Sequence, residues 1–342
     1  MQNWGSLLLL GVLMMTLTTA SSRGDDKVLR AGMIGLDTSH VAAFSQLLNG
    51  PQATGDLAGV KIVAAFSGGS PDIPSSADRV AGYTKQLSEM GVEIVGSIEA
   101  LLPKVDVVFL ESVDGRPHLE QAMPVLRAKK PVFIDKPVAG TLADAVAIFQ
   151  LAQKWEVPCF SSSSLRFSSG IIGMRNDPRV GEVRGCEARG PCHLEPHHPD
   201  LFWYGIHGVE TLFTIMGTGC ESVSRVHSEG TDFVAGRWKD GRVGTFRGVR
   251  DGAQDYGATV FGSKGIVQSG GYDGYQPLVV EIVKFFKTGK PPVSAEETLE
   301  IYAFMEAADA SKLQGGAPVT IESVLVKARE AAAEKVRSIV GQ

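Results

Sequence analysis

Residues 28–40 read VLRAGMIGLDTSH, and this stretch decides the fold class of the chain. Its apolar run, 29–34, has the length and composition of a buried strand, and the polar residues after Gly35 are typical of a turn that leads into a helix. Short apolar runs then alternate with longer amphipathic stretches as far as about residue 163. This alternation predicts βαβ units on a parallel sheet.

The first half of the chain therefore predicts a doubly wound α/β domain over residues 28–160. We expect its strands to be covered by helices on both faces, because runs such as VDVVFL (105–110) are almost continuously apolar. The predicted strands are 29–34, 61–66, 93–95, 105–110, 132–134 and 157–160. The predicted helices are 41–48, 77–90, 98–102, 118–128 and 142–155.

The second half has longer strands separated by glycine-rich turns, which predicts an α+β domain over residues 161–322 with an open, mainly antiparallel sheet. Its predicted strands are 185–189, 222–227, 233–238, 243–249, 258–261 and 265–268. Its predicted helices are 170–175, 206–216, 278–288 and 295–313. A further amphipathic helix, 324–340, occupies the tail 323–342.

The N-terminus has the features of a secretory signal. Residues 7–20 are apolar and uncharged, and small residues ending at Ala20 precede a polar segment. The run is shorter than the roughly 20 apolar residues of a membrane span. We therefore expect residues 1–24 to be a signal peptide and the protein to be exported, to the periplasm or another extracytoplasmic compartment, with no membrane contact after cleavage.

Composition excludes some partners. The 342 residues carry a net charge of −5 with no basic stripe, so nucleic acid and anionic membranes are not expected to bind. Export would permit disulfides, but no two of the four cysteines have Cys-x-x-Cys spacing. Buried free thiols are the favoured interpretation.

The glycine loop after the first strand lies where a dinucleotide-binding fold places its phosphate loop. The full fingerprint has three glycines, and here Asp37 and His40 occupy the second and third positions after Gly35. A carboxylate repels a pyrophosphate unless it caps the following helix, so a plain turn without nucleotide stays an alternative. Ser67 follows the second strand, and it favours either an NADP 2′-phosphate or a plain surface loop.

Lys136 and His207 are the candidate catalytic residues. Lys136 follows the fifth predicted strand, whose carboxyl end faces the ligand crevice of such a sheet, and Pro137 restricts its backbone. A lysine placed there stabilises developing charge on a substrate oxygen. His207 begins a helix beside Trp203 and Tyr204, and a histidine facing a crevice accepts a proton from a hydroxyl.

Two further features of the sequence concern the site, Glu210 and a histidine-rich stretch. Glu210 shares a helix face with His207 and either orients it or pairs with a structural arginine. The stretch HLEPHHPD (193–200) contains three histidines and two acids, but its proline-broken spacing fixes no ligand geometry. We therefore expect no metal site.

The motif Asp135-Lys136-Pro137, combined with Gly205-Ile206-His207-Gly208-Val209-Glu210, resembles the Gfo/Idh/MocA family of oxidoreductases, which includes glucose–fructose oxidoreductase and inositol dehydrogenases. The resemblance covers about residues 29–321 and implies a Rossmann domain, bound NAD or NADP, and a homo-oligomer formed through the second sheet. The sequence departs from the family pattern at Trp203, where the family usually has an aspartate, and in the phosphate loop.

The motifs and the resemblance together give a set of expected site residues. Catalytic roles are expected for Lys136, His207 and Glu210, and substrate contacts for Arg166, Asp200 and Tyr204. Cofactor contacts are expected from Gly35, Leu36, Asp37, Thr38, Ser39, His40, Ser67, Glu111, Ser112, His118, Asp135 and Lys136.

Three functions are compatible with these residues. The leading hypothesis is an NAD(P)-dependent oxidoreductase that transfers hydride from a sugar, a polyol or a related carbohydrate. The second is a cofactor-poor relative that binds a carbohydrate or moves protons on a keto-sugar, with Lys136 and His207 as acid and base, and the third is a pure binding or scaffold protein. The departures at Asp37 and Trp203 favour the second and third functions, whereas Lys136-Pro137 and His207 favour the first two.

Overall fold

A computed structural model describes residues 1–2 and 28–341. The predicted signal peptide lies almost entirely outside the described residues. In the described part of the chain, no helix has both the length and the hydropathy needed to cross a membrane. All four cysteines are buried and free, as the spacing favoured.

The first domain is a six-stranded parallel sheet, which confirms the predicted α/β class. The strands lie in the order β3-β2-β1-β4-β5-β6, so the strand order reverses between β1 and β4. Ligands of such sheets bind at the carboxyl ends of the strands beside this switch point. The strands are β1 (Leu29–Ile34), β2 (Val60–Phe66), β3 (Glu93–Val95), β4 (Val107–Leu110), β5 (Val132–Ile134) and β6 (Cys159–Ser161).

Helices cover both faces of this sheet. Three of them begin at a residue whose side chain caps the helix: the Thr38 hydroxyl accepts from the His40 amide, that of Ser97 from the Ala100 amide, and that of Thr141 from the Asp144 amide. The first helix is thus capped by Thr38 and not by Asp37, for which capping was one of the alternatives. The helices are α1 (Ser39–Asn49), α2 (Pro74–Glu89), α3 (Ile98–Leu101), α4 (His118–Arg127) and α5 (Leu142–Lys154).

The second domain contains a seven-stranded mixed sheet in the order β12-β11-β7-β10-β9-β8-β13. Neighbouring strands are antiparallel except β7 and β10, which run parallel. The strands are β7 (Val183–Pro191), β8 (Cys220–Ser228), β9 (Thr231–Trp238), β10 (Val243–Val249), β11 (Gly257–Gly262), β12 (Ile266–Gln268) and β13 (Val319–Thr320).

Helices of the second half cover one face of this sheet and also return to the first domain. They are α6 (Ser169–Ile172), α7 (Asp200–Trp203), α8 (Ile206–Met216), α9 (Gln276–Thr288), α10 (Ala295–Leu313) and α11 (Ile321–Val340). Buried residues of α9, such as Phe285, pack with Phe109 and Phe133 of the parallel sheet in one apolar cluster. Helix α11 packs against α5 on the opposite face. The C-terminal half therefore holds the first domain on both sides.

Candidate functional site

A cavity of about 320 Å³ lies where the carboxyl edge of the first sheet meets the start of α8. The N-terminal half contributes the start of α1 and Lys136, which follows β5. The C-terminal half contributes Tyr204 and His207. The two residues that the motifs singled out thus line one crevice, as the switch point of the sheet predicts.

Lys136 reaches into this cavity from the end of β5. Its Nζ atom lies 5.9 Å from the centre of the Tyr204 ring, within cation–π range. The Tyr204 ring in turn lies 5.4 Å from the His207 ring, measured between centroids. A single tyrosine therefore lies beside both candidate catalytic groups.

His207 is held as a neutral imidazole. Burial first, and the nearby Lys136 charge second, lower the pKa of His207 well below its usual value. Its Nδ1 atom lies 2.7 Å from the Ser163 hydroxyl, which fixes the ring orientation. A neutral, oriented imidazole in a cavity is able to accept a proton near neutral pH.

Glu210 does not orient His207. It is buried, and its Oε1 atom accepts hydrogen bonds from Nε of Arg166 at 2.7 Å and from the Ser162 hydroxyl at 2.6 Å. Of the two alternative roles of Glu210, the structure therefore shows the pair with a structural arginine, Arg166. Arg166 also forms an ion pair with Glu297 at 2.8 Å, so its guanidinium joins the connection after β6 to α8 and α10 within the second half of the chain.

Asp200 lies away from the cavity lining. Its Oδ2 atom is 2.7 Å from NH2 of Arg225 and 2.7 Å from Nζ of Lys312. Arg225 is also paired with Asp232 at 2.8 Å, so Asp200 belongs to a charge network beneath the sheet. Among the three expected substrate contacts, Tyr204 alone lines the cavity.

The glycine loop is covered by protein. Gly35 has a φ of +84°, and a Cβ atom there would lie 2.3 Å from the Ser112 hydroxyl, so only glycine fits. The next residues, Leu36 and Asp37, are fully buried. The Asp37 carboxylate accepts hydrogen bonds from the Val113 amide at 2.9 Å and the Ser76 hydroxyl at 2.6 Å. Burial raises the pKa of Asp37.

Residues 67–76, here called the covering segment, lie across this loop. The Ser67 carbonyl accepts a hydrogen bond from the Leu36 amide at 2.7 Å. The Ser70 hydroxyl donates a hydrogen bond to Asp114 at 2.6 Å. Arg116 forms ion pairs with both Asp72 and Asp114, each at 2.8 Å. The segment is therefore fastened to the loop after β4.

These contacts decide whether a dinucleotide fits as the fold usually holds it. The pyrophosphate of such a cofactor lies against the amides of the first βα turn, at the helix N-terminus. Here that turn is buried beneath the covering segment, and the Asp37 carboxylate fills the gap to the loop after β4. The residues present do not accommodate the cofactor in that position.

Other expected cofactor contacts are used within the protein. Both ring nitrogens of the buried His118 face carbonyl oxygens, of Ser112 at 2.8 Å and Val138 at 3.3 Å. Burial lowers the pKa of His118. The Ser112 hydroxyl donates to Gln121 at 2.9 Å. The start of α1 faces the cavity, which is lined by Thr38, Ser39 and His40, whereas the phosphate loop does not.

His40, Glu111 and Asp135 form a buried cluster beside the cavity. His40 Nδ1 lies 2.7 Å from Asp135 Oδ2 and 3.7 Å from Glu111 Oε2. Burial alone lowers the pKa of His40, but the two carboxylates outweigh it and raise this pKa to about 9. Burial and the Asp135 charge raise the pKa of Glu111 to about 7. The pKa of Asp135 is lowered, because His40 and Lys136 outweigh its burial.

Several cavity residues were not expected. Tyr256, Tyr272 and Tyr275 line the cavity, as does Arg79 of α2, and Ser163 binds His207. The three tyrosines stand in glycine-rich turns of the second half, DYG and GYDGY. Large aromatic residues in such turns are a signal of a ligand loop that the sequence contained.

Fold and site together define a two-domain protein whose Rossmann-type first domain shares a ligand cavity with a mixed-sheet second domain. Residues 29–162 match the GFO_IDH_MocA model, described as an oxidoreductase family with an NAD-binding Rossmann fold. A 1,5-anhydro-D-fructose reductase of Ensifer adhaerens is 29% identical over 241 residues, which are 65% of this chain and 65% of the relative. The match thus spans just under two thirds of that relative's length.

Solved structures have the same architecture. The scyllo-inositol dehydrogenase of Lactobacillus casei with bound NAD(H) and scyllo-inositol has a TM-score of 0.70 at 15% identity, over 86% of this chain and 100% of that one. An oxidoreductase of Agrobacterium radiobacter in complex with NAD+, L-tartaric acid and magnesium has a TM-score of 0.70 at 15% identity, over 87% and 99%. At such identities the likeness shows the fold.

The model that matches residues 29–162 is that of the Gfo/Idh/MocA oxidoreductases, the family that the Asp135-Lys136-Pro137 motif resembles. The family is NAD-binding, and the named relatives act on sugar-like compounds, an anhydrofructose and an inositol. The fold prediction of a Rossmann-like sheet followed by a mainly antiparallel sheet is confirmed.

Proposed function

We propose that this protein moves protons on a sugar-like hydroxy-carbonyl compound bound between Lys136 and His207, without a resident dinucleotide. One observation carries the proposal: a lysine and a neutral histidine share a cavity, while the covering segment fills the usual cofactor position. The reaction class is isomerisation or epimerisation through an enediol.

The proton movements balance without a redox partner. Lys136 donates a hydrogen bond to the substrate carbonyl oxygen and stabilises the negative charge that develops there. In isomerisation, His207 takes the proton from the hydroxyl-bearing carbon next to the carbonyl and returns it to the former carbonyl carbon, while the proton of that hydroxyl moves to the former carbonyl oxygen. In epimerisation, the same carbon takes a proton from water on its other face, and His207 releases its proton to solvent. For Nε2 to accept this proton, Nδ1 carries the ring hydrogen and donates it to the Ser163 hydroxyl.

The lining of the cavity supports a sugar-like ligand. Tyr204, Tyr256, Tyr272 and Tyr275 provide flat apolar surfaces with hydroxyl groups at their edges. Such rings pack against the C–H faces of a sugar while the polar groups bind its hydroxyls. The names of the relatives, an anhydrofructose reductase and an inositol dehydrogenase, indicate the same substrate class.

A second candidate is the NAD(P)-dependent oxidation of a sugar or polyol, which the family match over residues 29–162 favours. It requires the covering segment to leave the loop after β4, with loss of the bonds from Ser70 and Arg116 to Asp114. His207 would then accept the hydroxyl proton. The choice between NAD and NADP would depend on the region of Ser67.

Deuterium exchange separates the two candidates. The purified chain is incubated in D₂O with aldoses, ketoses and an inosose, with and without NAD(P), and C–H signals are followed by NMR. Exchange next to the carbonyl without nucleotide supports the proposal. Nucleotide released from denatured protein in a one-to-one ratio, or turnover that needs added NAD(P), contradicts it and supports the oxidoreductase.

Two predictions of the sequence concern the whole protein, and we propose both. Export rests on the apolar run 7–20, and N-terminal sequencing of the secreted chain tests it. Self-association through the second sheet is supported by Val226, Val243 and Ile266, which are 71%, 51% and 68% exposed on three of its strands. Light scattering of the purified chain tests it, and a monomer would contradict it.

A further inference from the structure

Three side chains at the carboxyl edge of the first sheet converge beside the cavity. His40 lies in the first turn of α1, which follows β1, whereas Glu111 directly follows β4 and Asp135 directly follows β5. One ligand atom of each lies within 4.8 Å of the others. We propose that His40, Glu111 and Asp135 bind a divalent transition-metal ion.

The polar atoms of this cluster lack partners. Glu111 is fully buried, and neither of its carboxylate oxygens has a hydrogen bond. The Oδ1 atom of Asp135 is also without a partner, and His40 Nδ1 contacts Asp135 at ion-pair distance without hydrogen-bond alignment. Because buried polar atoms are almost always hydrogen-bonded, a cluster with three carboxylate oxygens that have no hydrogen bond indicates a missing group.

A divalent cation fits this group. In the metal-binding form the two carboxylates are ionised and His40 is neutral, because the ion displaces the proton that His40 otherwise holds, and the ion would balance the resulting charge of −2. Lys136 is the neighbouring protein cation, but its Nζ atom lies over the Tyr204 ring in the cavity. One imidazole with two carboxylates suits zinc, manganese, iron or cobalt better than magnesium, which prefers oxygen ligands throughout.

The ion would be reachable from the cavity. His40 lines the cavity, and three protein ligands leave at least one coordination position for water or a substrate oxygen. An ion so placed would polarise the carbonyl oxygen that Lys136 also binds. This role rests on the proposed function, whereas the binding site itself does not.

This site differs from the metal site that the sequence led us to reject. The histidine-rich stretch 193–200 is used otherwise: His197 pairs with Glu195 at 2.6 Å, and His198 lies 3.2 Å from Asp114. The ligands proposed here have no sequence signature, because the parallel sheet alone brings their strand ends together.

Metal binding is measured on the purified full chain after removal of ions with a chelator. Titration calorimetry with Zn²⁺, Mn²⁺ and Co²⁺, and elemental analysis, are compared for the wild type, Glu111→Gln and the control His197→Gln. We expect one ion per chain in the wild type and the control, with affinity at least about 10-fold lower in Glu111→Gln. The Co²⁺ complex should show visible absorption bands that Glu111→Gln lacks.

Thermal unfolding shows whether the Glu111→Gln variant is folded. Glu111→Gln removes an unpartnered buried carboxylate, so the metal-free variant should unfold no earlier than the metal-free wild type. Added metal should raise the Tm of the wild type and leave that of Glu111→Gln unchanged.

Two results would overturn the metal site: no stoichiometric binding of any of the three ions, or equal binding by wild type and Glu111→Gln. Failure of the metal site and failure of the proposed function give different results. If the chain catalyses proton exchange but binds no ion, the metal site is wrong and the proposed function stands. If it binds one ion per chain but catalyses no exchange, the proposed function is wrong and the metal site stands.

Discussion

His207 and Lys136, the proposed catalytic pair, show how a protein environment changes the properties of common side chains. The imidazole is kept neutral because it is buried and lies near the lysine charge, while Ser163 fixes its orientation. The ammonium group in turn faces Tyr204 in the cavity. The lysine charge thus helps to set the protonation state of the imidazole.

The first prediction is that Lys136→Met abolishes turnover without unfolding the chain. The substitution keeps the length of the side chain but removes the charge that stabilises the substrate oxygen, which is worth about 10²–10³ in rate. Because Lys136 is half-buried and forms no ion pair in the described structure, we expect a stability change within about 0.5 kcal/mol. Proton-exchange rates and thermal unfolding measure both effects.

The control for this substitution is Lys327→Met, which removes an exposed lysine on α11, remote from the cavity lining. It should leave both the exchange rate and the Tm unchanged. Full turnover in Lys136→Met would remove this lysine from the mechanism, whatever the effect of the control.

The second prediction concerns the pKa of His207. Since the Lys136 charge lowers this pKa, Lys136→Met should raise it toward the ordinary value, while burial still keeps it low. NMR titration of the imidazole nitrogens measures the shift directly. In the wild type the ring stays neutral, so the rate should not fall between pH 8 and about 6.5. A pKa that is the same in both chains would show that the two groups do not interact.

Sequence reasoning found this pair and missed its surroundings. Lys136 and His207 were predictable because each stands at an element boundary beside a proline or aromatic residues, which fixes its direction. Ser163 and the three cavity tyrosines were not, because their approach depends on how the second domain folds over the first. Glu210 was correctly placed on the helix face, but its partner Arg166 became visible only in three dimensions.

At the scale of elements, the covering segment decides what the first domain binds. It runs from the end of β2 into the first turn of α2. Its serine hydroxyls donate hydrogen bonds to Asp37 and Asp114, which lie in the turns after β1 and β4. Although burial raises the pKa of Asp114, hydrogen bonds from His198, Arg116 and Ser70 outweigh it and hold this pKa well below its usual range. Asp114 is therefore charged and strongly bound in the folded protein.

The third prediction is that Asp114→Asn loosens the covering segment. Loss of charge-assisted hydrogen bonds should cost about 1–3 kcal/mol at neutral pH and increase hydrogen exchange in residues 67–76. Because the folded-state pKa is depressed, the stabilisation is present above the unfolded value of about 4 and is lost as the pH falls below it. The difference in Tm between wild type and variant should therefore shrink at low pH.

The control is Asp78→Asn, which changes an exposed carboxylate on α2, the helix that follows the segment. It should change neither the exchange of residues 67–76 nor the Tm. A Tm difference for Asp114→Asn that is the same at pH 7 and pH 3 would show that the Asp114 charge does not hold the segment.

The order of elements could be predicted from the sequence, whereas the covering segment could not. Strand and helix positions follow from apolar periodicity, and the six strands of the first sheet were placed to within about two residues of those in the structure. The sequence of the segment, SGGSPDIPSS, has no periodicity and reads as a loop. Its role depends on hydroxyl contacts with carboxylates far away in sequence.

At the scale of the whole molecule, the two domains share one packed structure. Helix α9 adds Phe285 and Phe286 to the apolar cluster of the first sheet, and α11 packs on α5. The cavity lies at this joint, so its geometry depends on contacts that hold the connection after β6. Arg166 is the central residue of that connection, since it is buried and paired with Glu210 of α8 and Glu297 of α10.

The fourth prediction is that Arg166→Met strongly destabilises the protein. It leaves two carboxylates, Glu210 and Glu297, without their buried cation, and breaking a buried pair in this way costs about 3–5 kcal/mol. For a chain of this size we expect the Tm to fall by about 4–8 °C. Glu210→Gln added to Arg166→Met should recover part of the loss, because it removes one of the uncompensated charges.

The control Arg184→Met breaks an exposed pair with Glu182 and should cost about 0–1 kcal/mol. Equal Tm values for Arg166→Met and Arg184→Met would show that the buried pairs of Arg166 do not stabilise the connection after β6.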